Sequence, residues 1–259
     1  MSASPFVDVV VPVYNAPDDV RRCVASVLAR TSPGYRLVLI DDASPDPGVA
    51  RVFAEIARAG HAHVELLVNE RNLGFTGTAN RGMGLSRRDV VLLNSDTIVT
   101  EGWLDALVRC AASDPSIGTI TPWSNNAEIL SYPRFCVNNA WPDGGDPAPL
   151  ARAFARAAVP SYPDLPTGVG FCFFVRRAML DAIGGFDPAF GAGYGEDRIE
   201  AGGELQPVDE PDQRLPAEPA DERAGAHLPR EARDQRDVGI GDVVVDEGGG
   251  AEDEEDRHR

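Results

Sequence analysis

The sequence contains no lysine, and this absence leaves a strongly acidic chain. All 24 basic residues other than histidine are arginine, against 41 Asp and Glu, so the formal net charge is -17. We interpret the missing lysine as the codon bias of GC-rich DNA. A chain this acidic does not favour nucleic acid, because phosphate binding needs basic side chains that displace counterions. We therefore expect no nucleic-acid partner.

Cysteines are few, and long apolar runs are absent. Cys23, Cys110, Cys136 and Cys172 lack the paired spacing of a zinc site or a disulfide framework, so we expect reduced core thiols in a cytosolic protein. No stretch approaches the roughly 18 apolar residues of a membrane-spanning helix. The N-terminus has no basic segment before an apolar stretch, so we expect no signal peptide. The predicted location is the cytoplasm, with at most a peripheral association at the inner face of the cell membrane.

Short β-branched runs alternate with amphipathic segments over most of the chain. The runs predict strands at 6–13, 35–40, 64–68, 89–94, 117–121 and 167–175. Helices are predicted at 18–30, 48–58, 102–113, 150–157 and 177–183, with a loop leading into a further helix over 74–85. This alternation indicates βαβ units, hence an α/β fold with an open, mostly parallel sheet and helices on both faces.

Polar clusters directly follow three of these strands, where open parallel sheets bind ligands. The clusters are Tyr14-Asn15, Asp41-Asp42 and Asn94-Ser95-Asp96. A carboxylate there can hold a divalent cation on a diphosphate, or Asn-Ser-Asp can simply form a turn. Asp41 and Asp42 can accept hydrogen bonds from a base or ribose, or can cap a helix and form a turn with Ser44. Tyr14 can stack on a base or pack internally.

Two other segments carry candidate chemistry. Residues 72–82 are glycine-rich but match neither phosphate-loop consensus, so a simple start to a helix is the better interpretation. Glu196 and Asp197 follow Gly193-Tyr-Gly, and one of the two carboxylates can act as a general base for a sugar hydroxyl. Taken alone, such a pair is most often a solvated surface feature.

In combination, these motifs resemble family-2 glycosyltransferases, whose fold is GT-A. The similarity is greatest to bacterial enzymes that assemble surface polysaccharide, including those labelled rhamnosyltransferases. The order and spacing carry the resemblance, and the segments are 11–15, 39–44, 69–75, 92–99, 122–126, 167–177 and 185–197. The resemblance covers residues 6–197 as one domain and implies a Rossmann-like, nucleotide-diphospho-sugar transferase sheet.

The resemblance also implies roles for individual residues. The donor nucleotide would be bound by Pro12, Tyr14, Asn15, Asp41, Asp42, Asn72, Gly74, Asn80, Asn94 and Ser95. Asn125, Asn126, Gly168 and Gly170 would lie near the donor sugar and the acceptor. Asp96 would bind Mg²⁺ or Mn²⁺ as the last acid of the family's Asp-x-Asp motif, which here reads Asn-Ser-Asp. Asp197, with Glu196 beside it, would be the catalytic base.

The implied reaction moves a sugar from a nucleoside-diphosphate sugar to a glycan or lipid-linked acceptor, with inversion at the anomeric carbon. An alternative is an impaired remnant that at most binds the nucleotide sugar. A dinucleotide oxidoreductase is disfavoured because the turn after the first strand reads Tyr-Asn-Ala-Pro instead of a glycine fingerprint. A nucleotidylyltransferase would need a glycine-rich basic loop at that turn.

The character of the sequence changes after Asp197. Residues 198–259 hold 19 of the 41 acidic residues and no Phe, Tyr or Trp. Such a segment buries too little apolar surface to offset its ordering entropy, so we predict a disordered acidic tail. Its composition fits GC-rich DNA read in the wrong frame, and we expect a C-terminally incomplete domain of poor activity. The nucleotide sequence around the Asp197 codon tests this hypothesis.

Overall fold

A computed structural model describes residues 6–139, 147–157 and 162–187, and the backbone of residues 244–247. Its strands are β1 Val7–Val13, β2 Tyr35–Asp41, β3 Val64–Val68, β4 Asp89–Leu93, β5 Thr97–Ile98, β6 Thr119–Ile120, β7 Trp123–Ser124, β8 Cys172–Val175 and β9 Val244–Glu247. Its helices are α1 Pro17–Arg30, α2 Pro47–Ala59, α3 Gly74–Met83, α4 Trp103–Ser113, α5 Ala148–Ala157 and α6 Arg177–Ile183.

The main sheet has the strand order β3-β2-β1-β4-β8-β6. Strands β1 to β4 are parallel, whereas β8 runs antiparallel to both of its neighbours. Val13 at the end of β1 lies opposite Asp41 at the end of β2. The expected open, mostly parallel sheet is therefore confirmed, and its four parallel strands end at one edge.

Helices cover both faces of this sheet. Val9 and Val11 of β1 share a core with residues of α1, α2 and α4, whereas Val10 packs with residues of α3 and α6. Neighbouring residues of a strand point to opposite faces, so each face receives every second side chain. Burial on both faces explains why β1 is an almost continuous apolar run without alternation.

The structure differs from the predicted elements in three places. The strands predicted at 117–121 and 167–175 shorten to β6 and β8. A second small sheet, β5-β9-β7, was not predicted, because β5 and β7 have only two residues each and β9 has four, which is too short for a clear periodic signal. Of the predicted acidic tail, the structure describes only β9; the remainder lies outside the described residues.

The cysteines follow the prediction with one exception. Cys23, Cys110 and Cys172 are buried free thiols, whereas Cys136 is exposed on a loop and is not a core residue. Among the helices that the structure describes, none is both long and apolar enough to cross a bilayer.

A buried acid joins the strands at the edge opposite their carboxyl ends. The Asp8 carboxylate in β1 accepts hydrogen bonds from Arg36 Nη2 (2.7 Å), from Arg88 Nη1 (3.2 Å) and from the Ser86 hydroxyl. Burial raises the pKa of Asp8, but hydrogen bonds from Arg36 and Ser86 and the charges of both arginines outweigh it, so the pKa lies below its usual value. Asp8 is thus held as a carboxylate that fastens β2, β1 and the start of β4.

We predict that Asp8→Asn lowers the free energy of unfolding by about 3 kcal/mol at pH 7, because two arginines lose their buried partner. Urea unfolding measures this loss. Since the folded pKa is depressed, the wild-type advantage exists above the unfolded pKa and disappears as pH falls through the folded value. The matched control Asp181→Asn removes a surface ion pair with Arg87 (3.0 Å) and a long one with Arg177 (3.7 Å), and should change stability by less than ~1 kcal/mol because Asp181 itself is exposed. Equal losses in the two variants would contradict the prediction.

Candidate functional site

The candidate site forms where β2, β1 and β4 end side by side. The Asp42 N–H donates to the Val13 carbonyl (2.8 Å), so the turn after β2 adjoins the turn after β1. On the other side of β1, β4 runs parallel to it with Leu92 opposite Val10, so the turn of Asn94-Ser95-Asp96 that follows β4 emerges at the same edge of the sheet. The three polar clusters predicted from sequence therefore share one edge of the sheet.

The turn after β1 has an unusual backbone that is locked to the turn after β2. Asn15, Ala16 and Ala43 all have left-handed backbone conformations, with φ of 59°, 46° and 56°. The Asn15 N–H donates to Ser44 Oγ (2.9 Å), and the Asp46 N–H donates to Asn15 Oδ1 (3.2 Å). Left-handed alanine is disfavoured by roughly 1–2 kcal/mol, so these contacts hold a strained backbone at the edge of the site. Asn15 thus has a direct contact that positions the two loops.

The two aspartates after β2 have different partners. Asp41 Oδ1 accepts from the Ser44 N–H (2.9 Å), which is the turn contact considered as an alternative. Asp42 is only 3% exposed, and its Oδ1 accepts from Asn69 Nδ2 (2.6 Å) and from the Leu73 N–H (2.8 Å). The helix-cap alternative is wrong for both, because Asp46 caps α2 through Gly48 (2.6 Å). Asp42 therefore connects β2 to the segment that opens α3.

Asn69 extends this network and was not singled out from the sequence. Its Nδ2 also donates to Thr78 Oγ1 (2.8 Å) in α3, and its Oδ1 accepts from the Arg81 guanidinium. The available signal was its position, since Asn69 directly follows β3 as Asp42 directly follows β2. Asn69 is thus a polar residue at a fourth strand end, and its position alone would have grouped it with the three polar clusters at the other strand ends.

Residues of the glycine-rich segment mainly shape the backbone. Asn72 Oδ1 accepts from the Gly74 N–H (2.8 Å), and Gly74 has φ +72°, which glycine adopts without strain. The Asn80 amide clamps the backbone of Phe186: its Nδ2 donates to the Phe186 carbonyl and its Oδ1 accepts the Phe186 N–H, both at 2.8 Å. Asn80 therefore positions the chain segment that leads toward Glu196 and Asp197, which themselves lie outside the described residues.

Pro12 lies near the end of β1 and Tyr14 directly follows it, at this edge of the sheet. Tyr14 is 50% exposed, whereas Pro12 is partly buried. An aromatic ring with half its surface open can stack on a ligand, so the internal-packing alternative does not describe Tyr14.

Asp96 lies in a turn just beyond β4. The turn is closed by the Thr97 N–H on the Asn94 carbonyl (3.2 Å), and the Asn94 N–H donates to the Phe171 carbonyl (2.9 Å). Asp96 is partly buried, and its Oδ1 atom is beneath the surface. Burial, and secondarily the charge of Asp96, raise the pKa of the Cys23 thiol, which keeps that thiol protonated beside the carboxylate.

A divalent metal fits this site only through a single protein carboxylate. Within the residues that the structure describes, no three His, Cys, Asp or Glu side chains cluster as a metal-binding group. Mg²⁺ is commonly held by one or two carboxylates together with substrate phosphates and water. Asp96 at the strand end is compatible with that pattern, in which a diphosphate completes the ligand set.

The residues expected near the donor sugar divide into structural and open positions. A side chain at Gly168 would lie 2.3 Å from the Phe173 ring, whereas Gly170 has no atom within 4 Å of its missing Cβ. Asn125 is 6% exposed and bonds reciprocally with Asn139, which sequence reasoning missed: the Asn139 N–H donates to the Asn125 carbonyl (2.9 Å) and Asn125 Nδ2 donates to the Asn139 carbonyl (3.3 Å). Asn126 lines a pocket in the same loop.

Several known proteins are similar to this chain in sequence. The chain is 30% identical over 117 residues to the uncharacterized glycosyltransferase YibD of Escherichia coli, covering 44% of this chain and 33% of that protein. It is 33% identical over 108 residues to the succinoglycan biosynthesis protein ExoO of Rhizobium meliloti, covering 41% of this chain and 30% of that protein. The chain thus matches about a third of the length of these curated relatives.

Structural similarity supports the GT-A fold. The mannosyltransferase PcManGT from Pyrobaculum calidifontis, solved with GDP-Man and Mn²⁺, superposes with a TM-score of 0.55 at 21% identity, covering 75% of this chain and 50% of that one. The sequence model described as "Glycosyl transferase family 2" matches residues 8–184, which include every strand of the main sheet except the first residue of β1. Since that match spans more than half of the 259 residues, the chain belongs to glycosyl transferase family 2.

Proposed function

We propose that this chain carries the donor-binding half of a glycosyltransferase site that uses a nucleoside-diphosphate sugar. The observation that carries the proposal is the meeting of three polar turns at one edge of a parallel sheet: Tyr14 directly follows β1, and the turns of Asp41-Asp42 and of Asn94-Ser95-Asp96 follow the strands on either side of it. Open α/β sheets bind ligands in this crevice. The family match and the donor bound to PcManGT support the same reading.

The proposed donor lies across the ends of β2, β1 and β4. The base rests on the exposed ring of Tyr14, beside the turn that Asp41 and Ser44 hold together. The buried Asp42 carboxylate acts mainly indirectly: its hydrogen bonds hold Leu73 and Asn69 in place at the border of the base site. The diphosphate then extends toward the turn of Asn94, Ser95 and Asp96.

Asp96 is the proposed ligand for Mg²⁺ or Mn²⁺ on that diphosphate. A bound divalent ion supplies neutralisation of the negative charge that grows on a departing nucleoside diphosphate. The chain's own contribution is to hold the Asp96 turn against β8, through the Asn94 N–H and the Phe171 carbonyl. This attachment keeps the carboxylate at a fixed position relative to β1.

The proposed transfer is direct displacement with inversion onto a glycan or lipid-linked acceptor. In this proposal the Asp197 carboxylate, with Glu196 beside it, removes the proton of the acceptor hydroxyl as that oxygen attacks the anomeric carbon. The clamp of Asn80 on Phe186 directs the chain toward these acids. The competing proposal, donor binding without transfer, is suggested by the acidic composition of residues 198–259. A donor-dependent transfer assay on the full chain separates the two.

We predict that Tyr14→Ala weakens binding of UDP and GDP about tenfold, because stacking on an aromatic ring contributes roughly 1–3 kcal/mol per base. Tyr14→Phe is the matched control: it keeps the ring, and should bind within about twofold of wild type. Isothermal titration calorimetry measures both constants. Since Tyr14 is half exposed, neither change should alter the melting temperature appreciably. If alanine and phenylalanine variants bind alike, the ring does not contact the base.

We predict that Asp96→Asn removes the effect of Mn²⁺ on nucleotide binding. In the wild type, Mn²⁺ should tighten UDP or GDP binding by about tenfold or more, because the ion links a carboxylate to the diphosphate. In the variant, affinities with and without Mn²⁺ should coincide. Asp105→Asn serves as control, because Asp105 lies on α4, outside the proposed site, and accepts a hydrogen bond from the Ser32 hydroxyl (2.7 Å). Retention of the Mn²⁺ effect in Asp96→Asn would overturn the metal assignment.

A further inference from the structure

The loop between β7 and Asn139 lines a surface pocket that is not part of the proposed donor site. Its volume is about 280 Å³. The polar wall contains Asn126, Glu128, Ser131 and Asn138, and the apolar wall contains Ile129 and Val137. Glu128, Val137 and Asn138 are exposed, so the pocket is open to a ligand from solvent.

The walls of this pocket are fixed by hydrogen bonds within the loop. The Tyr132 N–H donates to the Ser124 carbonyl (2.8 Å) and the Cys136 N–H donates to the Glu128 carbonyl (3.0 Å). The Ala127 N–H donates to Ser131 Oγ (2.9 Å), and the Asn125–Asn139 pair closes the base of the loop. A wall that is ordered before binding lowers the entropic penalty of complex formation. The loop is therefore held in one shape by its own hydrogen bonds.

The lining chemistry selects a neutral, polyhydroxylated ligand. The lining residues in the described part of the chain include no arginine, and Glu128 contributes a negative charge, so a phosphate or carboxylate ligand is disfavoured. The two asparagine amides offer both donors and acceptors, and Glu128 offers acceptors, as hydroxyl groups require. Ile129 and Val137 provide an apolar surface for a C–H face. The volume lies just under the ~300 Å³ at which pockets for larger ligands begin, which leaves room for one ring.

The pocket also lies near the proposed reaction centre. Its loop begins directly after β7, which is separated from β5 by the single strand β9. Two interstrand spacings correspond to about 10 Å. Strand β5 begins at Thr97, the residue after Asp96, so the start of the loop lies on the order of 10 Å from the strand that follows Asp96.

We propose that this pocket binds one sugar ring of the acceptor, and this inference rests on the proposed glycosyltransferase function. The pocket selects an uncharged pyranose whose hydroxyl groups face Asn126, Glu128 and Asn138, and whose C–H face contacts Ile129 and Val137. It is a binding site for the acceptor and not a part of the donor site, so the two can be perturbed independently.

The test uses the full chain and a panel of methyl glycosides as probes: methyl α-D-glucopyranoside, methyl α-D-mannopyranoside and methyl α-L-rhamnopyranoside. Saturation-transfer NMR measures their binding, and a parallel titration with UDP or GDP and Mn²⁺ measures the donor site. Val137→Trp fills the pocket, and Glu128→Gln removes one hydrogen-bonding charge. Ile183→Trp, at a 48% exposed position in α6, and Glu101→Gln, at an exposed position before α4, are the matched controls.

We expect the wild type to bind at least one glycoside, Val137→Trp to weaken that binding by about tenfold or more, and Glu128→Gln by about threefold to tenfold. Both controls should match wild type, and nucleotide affinity should stay unchanged in all four variants. Absence of glycoside binding by the wild type, or wild-type binding by Glu128→Gln and Val137→Trp, overturns the inference. If Val137→Trp does not fold, Glu128→Gln decides. If the wild type does not bind UDP or GDP, the proposed donor function is refuted separately, and with it the acceptor role of the pocket.

Discussion

The parallel pairing of β1 with β2 on one side and β4 on the other is the constraint on which the site depends. Because all three strands run in the same direction, the turns that follow them must emerge at one edge. Each turn carries polar residues that an antiparallel arrangement of these strands would place at opposite edges. Antiparallel β8 beside β4 then returns the Phe171 carbonyl to the Asn94 turn, which fixes the third of these turns from its far side.

Polar residues at this edge divide into those that hold the loops and those that face the groove. Asn15, Asp42, Asn72 and Asn80 use their side chains on backbone or amide groups of neighbouring segments. Tyr14 remains half exposed, and Asp96 lies at a strand end with no metal cluster around it in the described residues. A binding groove needs both kinds, because a ligand-facing residue is effective only where the surrounding loops are rigid.

The hydrogen-bonded residues at the two ends of the strands have different roles. At the amino ends of β1 and β2, the Asp8 carboxylate is satisfied by Arg36, Arg88 and Ser86, and it stabilises the strands without facing a ligand. At the carboxyl ends, left-handed residues such as Ala16 and Ala43 store local strain that only the surrounding hydrogen bonds hold in place. The loop of Asn125 and Asn139 is likewise held by hydrogen bonds within the loop, which surround a small pocket.

The sequence by itself determined that the sheet is open and mostly parallel, the succession of its main strands and helices along the chain, and the three polar turns, because buried parallel strands are apolar runs and strand ends are marked by polar residues. The strand order within the sheet and the antiparallel direction of β8 came from the structure. Helix α6 was predicted with its observed bounds, and β3 likewise. Tertiary structure alone decided which polar side chains are committed to internal contacts: Asp42 to Leu73, Asn80 to Phe186 and Asn125 to Asn139. It also decided the small sheet of β5, β9 and β7 and the exposure of Cys136. The contacts and the small sheet join residues that are distant in the chain, or rest on strands of two to four residues, and neither leaves a periodic pattern in the sequence.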